Sequence, residues 1–127
     1  MPLPPATENR HDVEPPPFAR FDLEEEIRRM RTTVKPGGHL GKTLVRGPDM
    51  RLVLMILQRG ARISEHRADG SLSIQGIGGR AILTLAETRL EIGPGHLVTV
   101  DPGVMHALEA AEDSAVLLTI AFRGHHG

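Results

Sequence analysis

Gly95-His96-Leu97-Val98-Thr99-Val100-Asp101-Pro102-Gly103-Val104-Met105-His106-Ala107 is the most telling stretch of this chain. A Gly93-Pro94-Gly95 turn leads into it, and 97–100 is a short β-prone run. Asp101-Pro102-Gly103 then breaks the run with turn chemistry. A second strand is predicted over 104–110. Along it His106, Leu108 and Ala110 share one face, while Met105, Ala107 and Glu109 share the other. The apolar company of His106 assigns it to the inward face.

The same pattern extends in both directions. Strands are predicted near 42–46, 51–58, 62–67, 71–77, 80–85, 88–92, 97–100, 104–110 and 115–122. The punctuating turns include Gly47-Pro48-Asp49, Arg59-Gly60, Asp69-Gly70, Gly78-Gly79 and Glu112-Asp113. Short strands at roughly ten-residue spacing predict a β-sandwich or barrel. No helical period of comparable length competes after residue 34, and no internal repeat stands out beyond the spacing itself.

Ahead of the strands, residues 1–20 carry six prolines, Pro2, Pro4, Pro5, Pro15, Pro16 and Pro17. Proline removes backbone donors, so a flexible tail is expected there; a polyproline docking segment is the functional alternative. A helix is predicted over 22–33. Asp22 is its cap, Glu25 sits where a capping box needs it, and Leu23, Ile27 and Met30 form one apolar stripe. Glu24, Glu25 and Glu26 suit the helix start, and Arg28, Arg29 and Arg31 suit its end. The expected organisation is a Pro-rich tail over 1–20, one domain over 21–123 and a C-terminal tail over 124–127.

Composition excludes several classes. With 15 basic and 16 acidic residues the formal net charge is −1, which offers nothing to nucleic acid or to an anionic membrane. Three Phe and no Trp or Tyr leave few stacking platforms. The absence of Cys excludes disulfides, thiolate metal sites and cysteine nucleophiles. The N-terminus lacks the pattern of a signal peptide, and the longest apolar run, 52–57, is far below the about 20 residues of a membrane span. A soluble, cytoplasmic protein is the expectation. Gly76-Ile77-Gly78-Gly79 lacks the following helix of a dinucleotide loop, and Gly37-Gly38-His39-Leu40-Gly41-Lys42-Thr43 lacks the spacing of a phosphate loop.

Two segments resemble the paired motifs of the cupin superfamily, specifically small single-domain cupins of the RmlC-like, cupin-2 type. The first runs from Gly60 through His66 to Gly79, where the family's motif has a Gly, a His-x-His pair, a Glu and a closing Gly. The second is the stretch quoted above, with Gly103-Val104-Met105-His106-Ala107 its most specific part. The resemblance covers about residues 40–122. It implies an all-β fold, the double-stranded β-helix or jelly-roll barrel, here with one short N-terminal helix. This chain also departs from the pattern. Ala68 replaces the second His of His-x-His, Leu72 or Ser73 stands at the Glu position, and Asp101 replaces the Pro of Pro-x-Gly. The three-His-one-Glu metal set implied by the family is thereby reduced to His66 and His106.

If the Ser73/Gln75 face of the fourth strand points inward, His66, Ser73, Gln75 and His106 line one polar pocket. Gln75 is then the third group available to a metal, through its amide oxygen. The cofactor expectation is therefore either one divalent metal (Fe, Mn, Ni or Zn) on His66, His106 and Gln75, or none. Two satisfied barrel histidines with no ligand are the plain alternative. His39 is expected in a loop, His96 beside a turn, and His11, His125 and His126 in the tails, where none carries a signal.

The leading functional expectation is a ligand-binding or sensor-like small cupin whose partner is a small molecule. The alternatives are a metal-dependent oxygenase or isomerase, and a regulatory domain related to the sugar-sensing barrels of transcription factors. The last would need a partner, since no helix-turn-helix segment is evident. Both faces of 52–57 are apolar. One can fill the barrel, and the other needs cover from the helix or from a second subunit. A twofold homodimer is predicted.

Overall fold

The computed structural model describes residues 16–122. Most of the Pro-rich segment, the C-terminal tail, His11, His125 and His126 lie outside the described residues. One helix precedes nine strands: α1 (Leu23–Arg31), β1 (His39–Arg46), β2 (Met50–Leu57), β3 (Arg62–His66), β4 (Ser71–Gly78), β5 (Ala81–Leu85), β6 (Thr88–Ile92), β7 (Leu97–Val100), β8 (His106–Ala110) and β9 (Ser114–Ala121).

The helix begins where its cap predicts. Asp22 sits in extended conformation and its Oδ1 accepts from the Glu25 amide at 3.1 Å. It is shorter than the expected 22–33 at its far end. Thr32 turns its hydroxyl back onto the Arg29 carbonyl at 2.7 Å and stops the helix there. At the strands, β1 starts three residues earlier than expected, because Leu40 pairs with Ile56 and packs into the cluster under the helix. Conversely, β8 starts two residues later than expected. Val104 still belongs to the turn, where its amide reaches the Asp101 carbonyl at 3.3 Å.

Every pairing is antiparallel, and the strands form two sheets in the orders β1-β2-β9-β4-β7 and β3-β8-β5-β6. From β2 onward this is the eight-strand jelly roll, two interleaved Greek keys, with β1 added at an edge. The two sheets pack face to face. Their inner faces bury Leu57, Leu72, Ile74, Leu83, Ile92, Val100, Leu108 and Val116.

The outer face of the five-stranded sheet carries a second cluster. Period-two alternation in β2 sends Met55 and Leu57 inward, and Leu54 and Ile56 outward. The outward pair is covered by Ile27 and Met30 of α1, both under a tenth exposed. Burying each such side chain contributes about 1.5–3 kcal/mol, so the helix is integral to the domain. The Lys42 ammonium meets the Glu26 carboxylate at 2.8 Å and links α1 to β1.

The glycine-rich run 76–79 has a packing role. A Cβ on Gly76 would lie 2.0 Å from the Gly93 carbonyl oxygen, because β4 passes directly beneath the turn before β7. The Gly76 amide donates to the His96 carbonyl at 2.8 Å, and the Gly95 amide donates to the Gly76 carbonyl at 2.9 Å. No helix of the described residues is long and apolar enough to cross a membrane.

Candidate functional site

Five strand ends converge at one end of the sandwich: the starts of β2, β4 and β8, and the ends of β3 and β9. His66 closes β3 and His106 opens β8, and the two are Cα partners across the antiparallel pair. Their ring centroids are 4.4 Å apart, with the planes at 60°. Each Nδ1 lies against the carbonyl two residues earlier in its own chain: His66 on Ser64 at 2.9 Å, His106 on Val104 at 3.0 Å. A carbonyl can only accept, so each Nδ1 carries a proton. In the neutral ring each Nε2 then keeps its lone pair. His106 is 4% exposed, whereas His66 stands in the open.

Behind the histidines lies a cavity of about 270 Å³. From the five-stranded sheet it is walled by Met55, Leu72, Ile74, Leu118 and Ile120; the opposite sheet adds Ile63, Leu83 and Leu108. Among the described residues, polar side chains gather only at the open end, where Arg51, Arg67 and Asp69 join the two histidines. The Gly103 amide donates to the Ala68 carbonyl at 3.0 Å, which ties the β7–β8 turn to the β3–β4 loop at this rim.

This arrangement corrects the expected pocket. β4 presents Leu72 and Ile74 to the interior, both at 5% exposure or less. Ser73 and Gln75 therefore face outward, where Gln75 pairs with Leu97 on one side and Leu117 on the other. Strand alternation allows only one of the two faces inside. Burying two aliphatic side chains is favourable, whereas burying a hydroxyl and an amide would require partners for both. The interior is thus apolar with a polar rim, and Gln75 is no candidate metal ligand.

The family's metal does not fit this donor set. Ala68 and Leu72 cannot coordinate, Ser73 points away, and His66 and His106 remain as two imidazoles. Among the described residues no group of three or more His, Cys, Asp or Glu is gathered to hold an ion. Catalytic zinc and non-haem iron sites typically use three protein ligands.

The other described histidines have separate roles. His39 is the first residue of β1 and is not in a loop. Exposed beside its turn, His96 accepts from the Gly93 amide through Nδ1 at 2.9 Å.

Arg51, Arg67, Asp69 and Phe122 were not anticipated as cavity residues. For Arg51 the signal was present: it precedes Val53, Met55 and Leu57 on the inward-facing register of β2, where a charged residue is out of place.

Comparison with known proteins adds a family. The model described as AraC-like ligand binding domain matches residues 54–125. A conserved protein of unknown function from Streptococcus pyogenes superposes with a TM-score of 0.71 at 23% identity, over 88% of this chain and 92% of that one. A cupin superfamily protein from Desulfitobacterium hafniense gives 0.68 at 17% identity, over 71% and 83% of the two chains. KdgF from Halomonas gives 0.62 at 26% identity, over 72% and 85%. No curated protein matches the chain in sequence. The structural likenesses agree with the cupin fold read from the two motifs.

Proposed function

Because this chain belongs to the family of AraC-like ligand-binding domains, we propose that it is a small-molecule-binding module, and that its ligand occupies the cavity between the sheets. The observation that carries this reading is the shape of the site: a void of about 270 Å³ with aliphatic walls, open at one end, where five polar side chains converge. Ligand sites characteristically combine apolar walls with a few placed polar groups. A cavity of this volume lies at the lower end of the range for ligand pockets, so the ligand is small.

His66 and His106 serve this reading without a metal. With each Nδ1 proton on a backbone carbonyl, the Nε2 of the neutral ring can accept from a ligand hydroxyl. The metal-dependent oxygenase or isomerase reading finds no support in a donor set of two imidazoles.

The test is a titration with a neutral, mostly apolar probe such as 1-octanol, followed through the methyl resonances of Ile74, Leu83 and Leu118. Saturable shifts confined to these methyls are expected, and Leu118→Trp, which fills the void, removes them. Absence of saturable shifts, or shifts undiminished in Leu118→Trp, would overturn the assignment.

A further inference from the structure

The open end of the cavity holds a cation with one buried donor that no described residue satisfies. Arg51 lies at the start of β2, opposite Ile120 of β9, on the inward-facing register. Its Nε is buried and has no hydrogen-bond partner among the described residues. The guanidinium carbon stands 5.3 Å from the centre of the Phe122 ring, which holds the group in place through one face. A ring face is at best a weak acceptor and does not replace an oxygen partner for an N–H donor. Buried polar groups are almost always paired, and an unpaired donor lining a ligand cavity indicates an acceptor that arrives with the ligand.

The charge at the rim narrows that acceptor. Arg51 and Arg67 supply two positive charges and Asp69 one negative, a formal excess of one. A singly charged group balances that excess, and the planar guanidinium edge matches the two oxygens of a carboxylate. The aliphatic walls match the remainder of such a molecule. Resting on the cavity reading above, we infer that the ligand is a small monocarboxylate with an apolar body, and that Arg51 is the residue that binds its carboxylate.

The experiment compares octanoate with 1-octanol, which share a chain and differ in the head group, by calorimetry on the full chain. Wild type, Arg51→Leu and Arg51→Lys are measured in parallel. The expected result is octanoate bound about tenfold or more tightly than 1-octanol by wild type. Arg51→Leu erases that preference, weakening octanoate about tenfold or more and 1-octanol by much less. Arg51→Lys keeps the charge, loses the fork, and falls between the two. Because the Arg51 Nε is buried without a partner among the described residues, Arg51→Leu is also expected to unfold at no lower denaturant concentration than wild type.

Equal affinities in wild type, or a preference that survives Arg51→Leu, would overturn the anchor while leaving the cavity reading intact. Octyl phosphate bound more tightly than octanoate would overturn the choice of a carboxylate. A marked loss of stability in unliganded Arg51→Leu would assign the residue to the fold instead. Failure of both octanoate and 1-octanol to bind would remove the cavity reading, and the anchor with it.

Discussion

His66 and His106 stand opposite one another across β3 and β8 with ring centroids 4.4 Å apart, yet one is exposed and the other is 4% exposed. The jelly roll brings residues 40 positions apart in the chain into cross-strand register. It buries only the one whose neighbours, Leu108 and Ala110, continue inward.

Replacing the two histidines should therefore have unequal effects on stability. His106→Ala removes a buried ring and its bond to Val104, and is expected to lower the unfolding free energy by about 2 kcal/mol. His66→Ala is expected to lower it by less than about 1 kcal/mol, as is usual for an exposed site. Urea unfolding of both variants checks this; equal losses would contradict the asymmetry.

Metal content is the second test. With only two imidazoles at the site, elemental analysis of untagged, dialysed protein is expected to give less than one equivalent of Fe, Mn, Ni or Zn. One equivalent in wild type that disappears in His106→Ala would contradict the reading of the donor set.

Helix α1 is expected to behave as part of the core. Ile27→Ala and Met30→Ala each uncover the outward face of Leu54 and Ile56, and should each lower stability by about 2–4 kcal/mol. Asp22→Ala loses the cap to the Glu25 amide and should lower it by about 1 kcal/mol. Chemical denaturation ranks the three; a larger effect from the cap than from Ile27 would show that the helix contributes little by packing.

Gly76→Ala places a methyl group 2.0 Å from the Gly93 carbonyl oxygen, with backbone on both sides of the clash. The variant is expected to be destabilised by more than about 3 kcal/mol or to accumulate as insoluble protein. Gly41→Ala meets only side-chain carbons at 3.5 and 3.6 Å and provides the tolerated control. Comparison of soluble yield and melting temperature distinguishes them.

The proposed twofold dimer is tested by light scattering after size-exclusion chromatography. The helix already covers Leu54 and Ile56, but Leu97 on the outer face of edge strand β7 remains 63% exposed. A dimer mass at micromolar concentration that falls to monomer in Leu97→Lys is expected. A monomeric wild type would contradict it.

Much of this molecule follows from local chemistry. Alternation and Gly/Pro punctuation predict all nine strands, most of them to within a residue, because a turn residue restricts its own backbone whatever lies beyond it. Asp22 sets the helix start for the same reason. His66 and His106 were legible because motif spacing placed them in corresponding turns of a known barrel. Only tertiary structure decided which face of β4 was inside. A period of two divides Leu72 and Ile74 from Ser73 and Gln75 without naming the buried pair, and pairing with β7 and β9 makes the choice. It also turned Gly76 from a suggestive motif into a contact with Gly93, and brought Arg51 over Phe122 from opposite ends of the strand sequence. Sequence therefore determined the elements and their rhythm, which depend on neighbours in the chain. The contents of the cavity depend on neighbours across the sheets, and only the folded chain supplies those.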